Sequence, residues 1–222
     1  MSLAELEPTE QQITKSVVAP AFPPEVDGLD LSGDLAGKVL ENADLSGLDL
    51  SGRDLTGADL AGADLSRCNL NGACLRDTIL VDARLEETQF LGADLTGADL
   101  SNANGFSAMF GRATMVNAIL FNASLEDATL SHADMTGADL RTARLTGARL
   151  RDAVLSGADL SRAEMAEVDL TGATVDHASF RDTDLSRSRV KSVTGSSTAD
   201  WIGVDILDAD FAGAYICLLY TS

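Results

Sequence analysis

Large apolar residues recur at every fifth position through most of this chain. Steps of five from Leu35 to Val190 give 32 positions, and only Gly105 among them lacks a large apolar side chain. A small residue, most often Ala, stands two positions before the large one, as Ala138 does before Leu140. A helix buries a stripe of period 3.6 and a strand one of period 2, so a sustained period of five excludes a helix bundle and an ordinary sheet.

The five-residue repeat predicts a stacked, quasi-one-dimensional architecture. The large residue and the small one before it lie on the same face of an extended segment, so we expect both to point inward. The other three positions of each repeat then face water, and each repeat turns one corner of a coil.

The repeat unit resembles that of the pentapeptide-repeat family, whose consensus is A(D/N)LXX. The match is carried by Ala58-Asp59-Leu60, Ala63-Asp64-Leu65, Ala93-Asp94-Leu95, Ala133-Asp134-Met135 and Ala158-Asp159-Leu160. The resemblance implies an all-β fold, a right-handed quadrilateral parallel β-helix with four repeats per coil. On that basis the 32 positions form about eight coils of a solenoid, followed by an irregular terminal coil.

Breaks in the period divide the chain into segments. Residues 1–28 lie outside the period and contain all four prolines, three of them between Val17 and Val26, which predicts a flexible N-terminal arm. The repeats occupy residues 29–190. A Gly/Ser/Thr-rich loop follows at residues 191–200, then a terminal coil at 201–216 and a tail at 217–222. The tail leaves open whether a further segment follows Ser222.

Gly105 removes one core side chain from the series, and Phe106 follows it. A missing Leu leaves a cavity that costs roughly 2–5 kcal/mol. We therefore expect the backbone to bulge here, so that the Phe106 ring turns inward and fills the space.

Apolar residues also occupy positions that the repeat assigns to water. With four sides per coil, residues 20 apart share a side, which places Ile79 with Ile119 and Val81 with Phe121. Contiguous apolar patches mark partner surfaces, whereas single exposed apolar residues are common. The candidate partner surface, around the fourth and fifth coils, consists of Ile79, Val81, Leu91, Met109, Val116, Ile119 and Phe121.

The net charge of −19 argues against direct binding of nucleic acid or an anionic membrane. Asp is the consensus residue of the repeat, however, so acidity also accompanies the fold. Basic residues are expected to share one side of the C-terminal half, where they either pair with Asp152 and Asp169 or contact a partner or a second copy. They are Arg112, Arg149, Arg151, Arg189 and Lys191.

The sequence contains no recognisable catalytic constellation. His132 and His177 are its only histidines, and the repeat places them on different sides. Asp54, Asp94 and Asp134 share a side, but on alternate coils about 10 Å apart, too far to bind one cation at about 2.3–2.6 Å. We therefore expect no enzyme activity, no cofactor and no metal.

No secretion signal, membrane span or disulfide framework is recognisable, which favours a cytoplasmic protein without membrane contact. The main functional interpretation is a non-enzymatic rigid scaffold that binds an unidentified protein through its outer faces. The alternative is an acidic DNA mimic, because the resemblance extends to quinolone-resistance proteins that bind DNA gyrase or topoisomerase IV. An open coil end also invites pairing, so a homodimer through Trp201 and Phe211 is a further interpretation.

Overall fold

The computed structural model describes residues 25, 26, 29–31, 33–195 and 198–214. Two short strands open the described part, β1 (Glu25–Val26) and β2 (Leu29–Asp30), and they pair antiparallel. The sequence did not indicate this hairpin, and the rest of the predicted arm lies outside the described residues. Within these ranges, no helix has the length and apolar character needed to cross a membrane.

The main body is a solenoid held by isolated parallel β-bridges. Each bridged residue pairs with the residue 20 positions further on, from Val39–Asp59 to Thr174–Thr194. One turn therefore takes four five-residue repeats, and the bridges form four ladders along the axis. We number them by their first bridged residue: ladder 1 begins at Val39, ladder 2 at Asp44, ladder 3 at Asp49 and ladder 4 at Asp54.

The core is a continuous column of the large and small residues of the repeats. Leu60, Leu100 and Leu160 have no exposed surface, and neither do small residues such as Ala58 and Ala118. The predicted inward orientation is thus confirmed. Burial of each large side chain stabilises the stack by roughly 1.5–3 kcal/mol relative to full exposure.

Some small-residue positions hold a buried polar atom that links two coils. Thr78 Oγ1 donates to the carbonyl of Leu55 at 2.8 Å, and Thr183 Oγ1 donates to that of Leu160 at 2.8 Å. Cys68 Sγ makes the same contact with the carbonyl of Leu45 at 2.7 Å. All buried side-chain polar atoms of the described residues have a partner, so these substitutions for Ala cost little.

Each corner is a four-residue turn that the sequence pattern supports chemically. In the turn after Met135, the N–H of Ala138 donates to the Met135 carbonyl at 3.0 Å, and Gly137 has a φ of 69°. Oδ1 of Asp134 accepts the N–H of Thr136 at 3.0 Å and its hydroxyl at 2.6 Å. The consensus Asp is therefore a turn acceptor, which explains why acidity accompanies this repeat.

The expectation for Gly105 and Phe106 is wrong. The backbone does not bulge, because the N–H of Gly105 still donates to the carbonyl of Ser124 at 2.7 Å. The Phe106 ring remains 46% exposed. The Leu125 side chain occupies the space instead, since its Cδ2 lies 2.8 Å from where a Gly105 Cβ would stand. A neighbouring core side chain reaches this gap with less rearrangement than a corner residue.

The register changes once, near the C-terminal end of the described chain. Thr174 still pairs with Thr194, but Ser179 pairs with Asp200, 21 positions further on. One extra residue is therefore accommodated between Thr194 and Asp200. The coil pattern persists to Thr194, which confines the irregular part of the predicted loop 191–200 to its second half.

Candidate protein-interaction surface

Exposed apolar side chains alternate with aspartates on ladder 1. From Ile79 the ladder continues through Asp99, Ile119 and Asp139. Each bridged residue is one rung of its ladder. Ile79 and Ile119 are exposed and lie two rungs apart, about 10 Å along the axis. An apolar side chain therefore faces solvent on every second rung of this stretch.

Three more of the predicted residues lie in the corners on either side of this ladder. Each corner has two outward residues, which follow the large core residue and are called its first and second corner residues. Val81 and Phe121 are the first corner residues after Ile79 and Ile119, and Val116 is the first corner residue of the corner before Ile119. Phe121 is exposed, while Val81 and Val116 are partly buried. We call these five residues, Ile79, Val81, Val116, Ile119 and Phe121, the ladder 1 surface.

Met109 and Leu91 do not join that surface. Met109 lies on ladder 3, bridged to Gln89 and Thr129, and Leu91 lies in the corner that follows Gln89. Ladders 1 and 3 are not neighbours around the turn, so their side chains face different sides. The structure therefore divides the predicted patch into two groups.

Other exposed apolar residues were missed by the sequence interpretation. Val39 extends ladder 1, Phe106 precedes Met109 at the corner before ladder 3, and Ile202 and Leu207 lie on the terminal coil. Val39 lies 40 residues before Ile79, which is two whole turns, so counting in steps of 20 would have included Val39 in the surface.

Arg141 borders the ladder 1 surface and links it to the acidic part of the same ladder. Its guanidinium carbon lies 5.6 Å from the centre of the Phe121 ring, within cation–π range. Its Nη2 lies 2.6 Å from Asp139 Oδ2. The hydrogen bond from Arg141 lowers the pKa of Asp139, although partial burial opposes this shift. The Phe121 ring is therefore held beside a fixed ion pair.

A shallow cavity of ≈ 280 Å³ opens beside this ion pair. Its lining combines the Phe121 ring with Arg141, Arg162, Asp159 and Arg181. Arg181 pairs with Asp200 at 2.8 Å. Charges of both signs therefore border the ladder 1 surface at its C-terminal edge.

The aspartates of the turns keep the outside of the rod negatively charged. Hydrogen bonds from the Ser46 and Thr56 side chains and backbone lower the pKa values of Asp44 and Asp54, respectively. These carboxylates are consequently ionised at neutral pH. The same hydrogen bonds that form the corners therefore maintain the acidic surface.

The predicted basic stripe lies on ladder 3 and the corners after it. Asp169 pairs with Arg151 at 3.5 Å and with Arg189 at 3.8 Å, and Lys191 pairs with Asp210 at 2.8 Å. Asp152, expected to pair with these bases, lies instead 3.9 Å from His132. Across the described ranges, Arg149 has no ion-pair partner.

The structure also locates the aspartates considered for metal binding, and it shows the state of the buried thiol Cys68. Cys74 and Thr114 separate Asp54, Asp94 and Asp134 on ladder 4. No group of three or more potential metal ligands lies together in the part of the chain that the structure describes. Burial raises the pKa of the Cys68 thiol to about 12, so it is a poor nucleophile at neutral pH.

The terminal coil is closed by aromatic stacking. The Trp201 ring stacks on the Phe180 ring, with centroids 4.5 Å apart and planes 1° apart. Phe211 packs against the core and is partly exposed, as is Trp201. Trp201 therefore covers the preceding coil, while its role in an end-to-end contact stays a prediction.

These features define a class of protein: a solenoid of stacked five-residue repeats whose side chains at the corners and outer walls form the available surface. The sequence model described as "Pentapeptide repeats (8 copies)" matches overlapping segments that together span residues 32–187. The chain belongs to the pentapeptide repeat family.

Two solved structures show this fold at moderate sequence identity. HetL, a pentapeptide repeat protein involved in heterocyst differentiation regulation from the cyanobacterium Nostoc sp. strain PCC 7120, is 28% identical. The match has a TM-score of 0.63 and covers 81% of this chain and 90% of HetL. No curated protein gave a significant match.

The second structure is a trypsin-treated variant of QnrB1, a plasmid-mediated fluoroquinolone resistance protein. It is 25% identical, with a TM-score of 0.61, and the match covers 78% of this chain and 85% of QnrB1. The two relatives share the architecture with this chain, but one is involved in heterocyst differentiation regulation and the other in fluoroquinolone resistance.

Proposed function

We propose that this protein is a non-enzymatic rigid scaffold that binds a protein partner through the ladder 1 surface. The observation that carries the proposal is the repeated exposure of apolar side chains on one ladder, around Ile79, Ile119 and Phe121. A rigid backbone holds these side chains before binding, which lowers the entropic cost of association. Exposed apolar groups on one side of a soluble protein are a recurrent feature of partner surfaces.

The chemistry of this surface restricts the partner. Asp99 lies between the two isoleucines, and Asp139 follows Ile119. A complementary segment therefore presents apolar side chains at intervals of about 10 Å, with basic groups between them. An extended or helical segment with that spacing would match the ladder.

The test is affinity capture from the native host with two matched double variants. We expect Ile119→Ser with Phe121→Ser to weaken retention of the captured partner about tenfold or more. Leu91→Ser with Met109→Ser removes comparable apolar side chains from ladder 3 and should retain that partner. Equal retention by both variants, with unchanged thermal stability, would contradict the proposal.

A second candidate function is an acidic DNA mimic that binds DNA gyrase or topoisomerase IV. The net charge of −19 and the similarity to QnrB1, a fluoroquinolone resistance protein, favour it. The basic residues of ladder 3 count against it, because DNA presents negative charge on all sides. A supercoiling assay with added protein, with and without a fluoroquinolone, distinguishes the functions: no effect at micromolar protein would exclude the mimic.

We further propose a right-handed quadrilateral β-helix of about eight coils with an irregular terminal coil, in a cytoplasmic protein without a cofactor. The spacing of 20 residues per turn supports the four-sided form. A crystal structure tests the hand and coil number, and fractionation of the native host tests the location. A left-handed coil, or recovery with the membrane or secreted fraction, would contradict these proposals.

A further inference from the structure

The middle of ladder 3 presents mostly uncharged side chains, with Arg112 in one of its corners and the basic stripe beyond it. From Asn69 to Ser131, its outward rung residues and the first corner residue after each rung are all uncharged. We call these residues the ladder 3 surface: Asn69, Asn71, Gln89, Leu91, Met109, Gly111, Thr129 and Ser131. Over the same coils the other ladders expose carboxylates, including Asp99, Glu86 and Asp94. Covering charged groups costs much more than covering neutral ones, so ladder 3 is the least costly side to bury.

Hydrogen bonds already fix several side chains of this surface. Asn69 Nδ2 donates to Asp49 Oδ1 at 2.9 Å, and Asn71 Oδ1 accepts the N–H of Leu91 at 2.8 Å. Asn71 Nδ2 also donates to Gln89 Oε1 at 3.3 Å. Because these rotamers are held before contact, little side-chain entropy remains to be lost on binding.

Opposite charges stand at the two ends of the ladder 3 surface. Asp49 lies one rung before Asn69, and Arg149 lies one rung after Thr129. Arg149 has no ion-pair partner in the described part of the chain. A surface with an acid at one end, a base at the other and neutral residues between them is complementary to itself when one copy is reversed.

We propose that two copies of this protein pack side by side and antiparallel through their ladder 3 surfaces. The two-fold axis lies between the rungs of Gln89 and Met109. Each copy then presents the same surface to the other, as in an isologous dimer. This inference does not depend on the proposed function, because ladder 1 remains uncovered.

The 20-residue register fixes which residues meet. An axis between the rungs of Gln89 and Met109 brings Asp49 of one copy opposite Arg149 of the second, and each such pair occurs twice. At the corner before the ladder, Arg67 of one copy comes opposite Asp127 of the second. In a parallel arrangement each rung residue would face its own equivalent, so that Arg149 would repel Arg149.

Side-chain sizes also match in this register. The second corner residues of the N-terminal half are Gly52, Gly72 and Gly92, while the corresponding residues of the C-terminal half are larger. Their counterparts across the axis are Asp152, His132 and Arg112, in that order. Each large residue of one copy therefore faces a glycine of the second.

Leu91 lies next to the axis, opposite Gly111 of the second copy and one rung along from Leu91 of that copy. Its Cδ1 lies 3.4 Å from the position that a Gly111 Cβ would take. Leu91 therefore leans over Gly111 of its own chain, where no side chain stands in its way. Met109 comes opposite Gln89, and the contact extends over six rungs, about 24 Å between its first and last rungs.

Sedimentation velocity of the full chain over a concentration series tests the dimer. We expect a dimer that Met109→Glu weakens about tenfold or more, because it places a carboxylate in the uncharged surface. Ile119→Glu is the matched control: Ile119 is 38% exposed and Met109 43%, and both stand at the rung position of a repeat. The control should remain dimeric. A monomer at every concentration, or a dimer equally sensitive to both variants, would overturn the proposal.

A charge exchange tests the register. Arg149→Glu should weaken the dimer, and adding Asp49→Arg should restore it, because Arg already occupies the rung position at Arg84, Arg144 and Arg149 without loss of the fold. Arg189→Glu should not be rescued by Asp49→Arg. Rescue of Arg189→Glu, or a dimer abolished by Trp201→Ala but not by Met109→Glu, would contradict the proposed interface.

Discussion

The repeats between Leu35 and Val190 and the last described coil, residues 199–214, share one five-residue pattern but differ in burial. Large residues of the stacked repeats are almost completely buried, whereas Trp201, Ile206 and Phe211 are only partly buried. The terminal coil has a bridged neighbour on one side among the described residues, and the inner coils have one on each side. The pattern therefore orients a side chain inward, and the neighbouring coils bury it.

The composition of the two regions follows from this difference. Inner coils use mainly Leu and Ala, with buried Phe at only three positions (Phe90, Phe110 and Phe180), while the terminal coil presents Trp201 and Phe211. The broad Trp201 ring covers Phe180 of the coil before it by stacking. In such one-dimensional proteins stability is approximately a sum of repeat and neighbour contributions, so the end coil is the first region expected to open.

The largest effect is expected from placing a charge in each region. Leu140→Asp buries an unpaired carboxylate and should destabilise the protein by roughly 4–5 kcal/mol or more, measured by chemical denaturation. Phe211→Asp should cost clearly less, because water reaches that position. Ser124→Asp is the control: it lies at a rung position where Asp is the consensus residue and Arg144 is the next rung. Equal losses for Leu140→Asp and Phe211→Asp would remove the distinction between the two regions.

Removing the terminal aromatic cover should have an intermediate effect. Trp201→Ala uncovers Phe180 and should cost about 2 kcal/mol, roughly half the loss for a fully buried aromatic side chain. Hydrogen exchange should show lost amide protection after Asp200, with protection retained around Leu100. A uniform loss along the whole chain would mean that the rod unfolds as a single unit.

Replacing a buried hydroxyl should have a smaller effect. Thr78→Val removes the bond to the Leu55 carbonyl, which still accepts the N–H of Ala58 at 2.9 Å. Thr183→Val makes the same change beside the terminal coil. Each should cost about 1 kcal/mol in thermal or chemical denaturation. A much larger cost for Thr183→Val would show that the terminal coil depends on this bond.

The smallest effect is expected from the ion pairs at low pH. The Arg141 hydrogen bond lowers the native-state pKa of Asp139, so this group contributes stability above the ordinary Asp pKa of about 3.9. That contribution is lost as pH falls through the lowered native value. Asp139→Asn should therefore reduce stability at neutral pH and flatten its decline below about pH 4.

Asp210 allows the same measurement on the terminal coil, because Lys191 lowers its pKa. Asp210→Asn should change the acid dependence of amide protection in that coil, while the inner coils keep the wild-type profile. An identical profile for both variants throughout the chain would argue against independent opening of the two regions.

The core and the class of fold were predictable from the sequence because one regular period determines both. Leu60, Leu100 and Leu160 are buried as the period requires. The handling of Gly105 was not predictable, because it depends on the rotamer of Leu125 in the next coil. Sequence spacing identifies the neighbouring coil, but it does not show which side chain reaches into a gap.

The candidate surface was predictable only in part. Counting in steps of 20 grouped Ile79 with Ile119 correctly, and the structure places both on ladder 1. The same count separates Met109 from them, a distinction that the sequence interpretation did not draw. The ion-pair partners of the basic residues were less accessible, because the choice between Asp152 and Asp169 depends on side-chain reach.

The bridges between residues 20 apart also set a rule for how such a chain can change its length. Deleting or duplicating one whole turn would make the rod shorter or longer while every downstream residue kept its side. Deleting a single repeat would preserve the hydrophobic interior but rotate the whole downstream exterior by one side, carrying Ile119 from ladder 1 to ladder 4. A single extra residue can be absorbed within a turn, as between Thr194 and Asp200, but whole repeats can be gained or lost without disturbing a surface that spans several coils only four at a time.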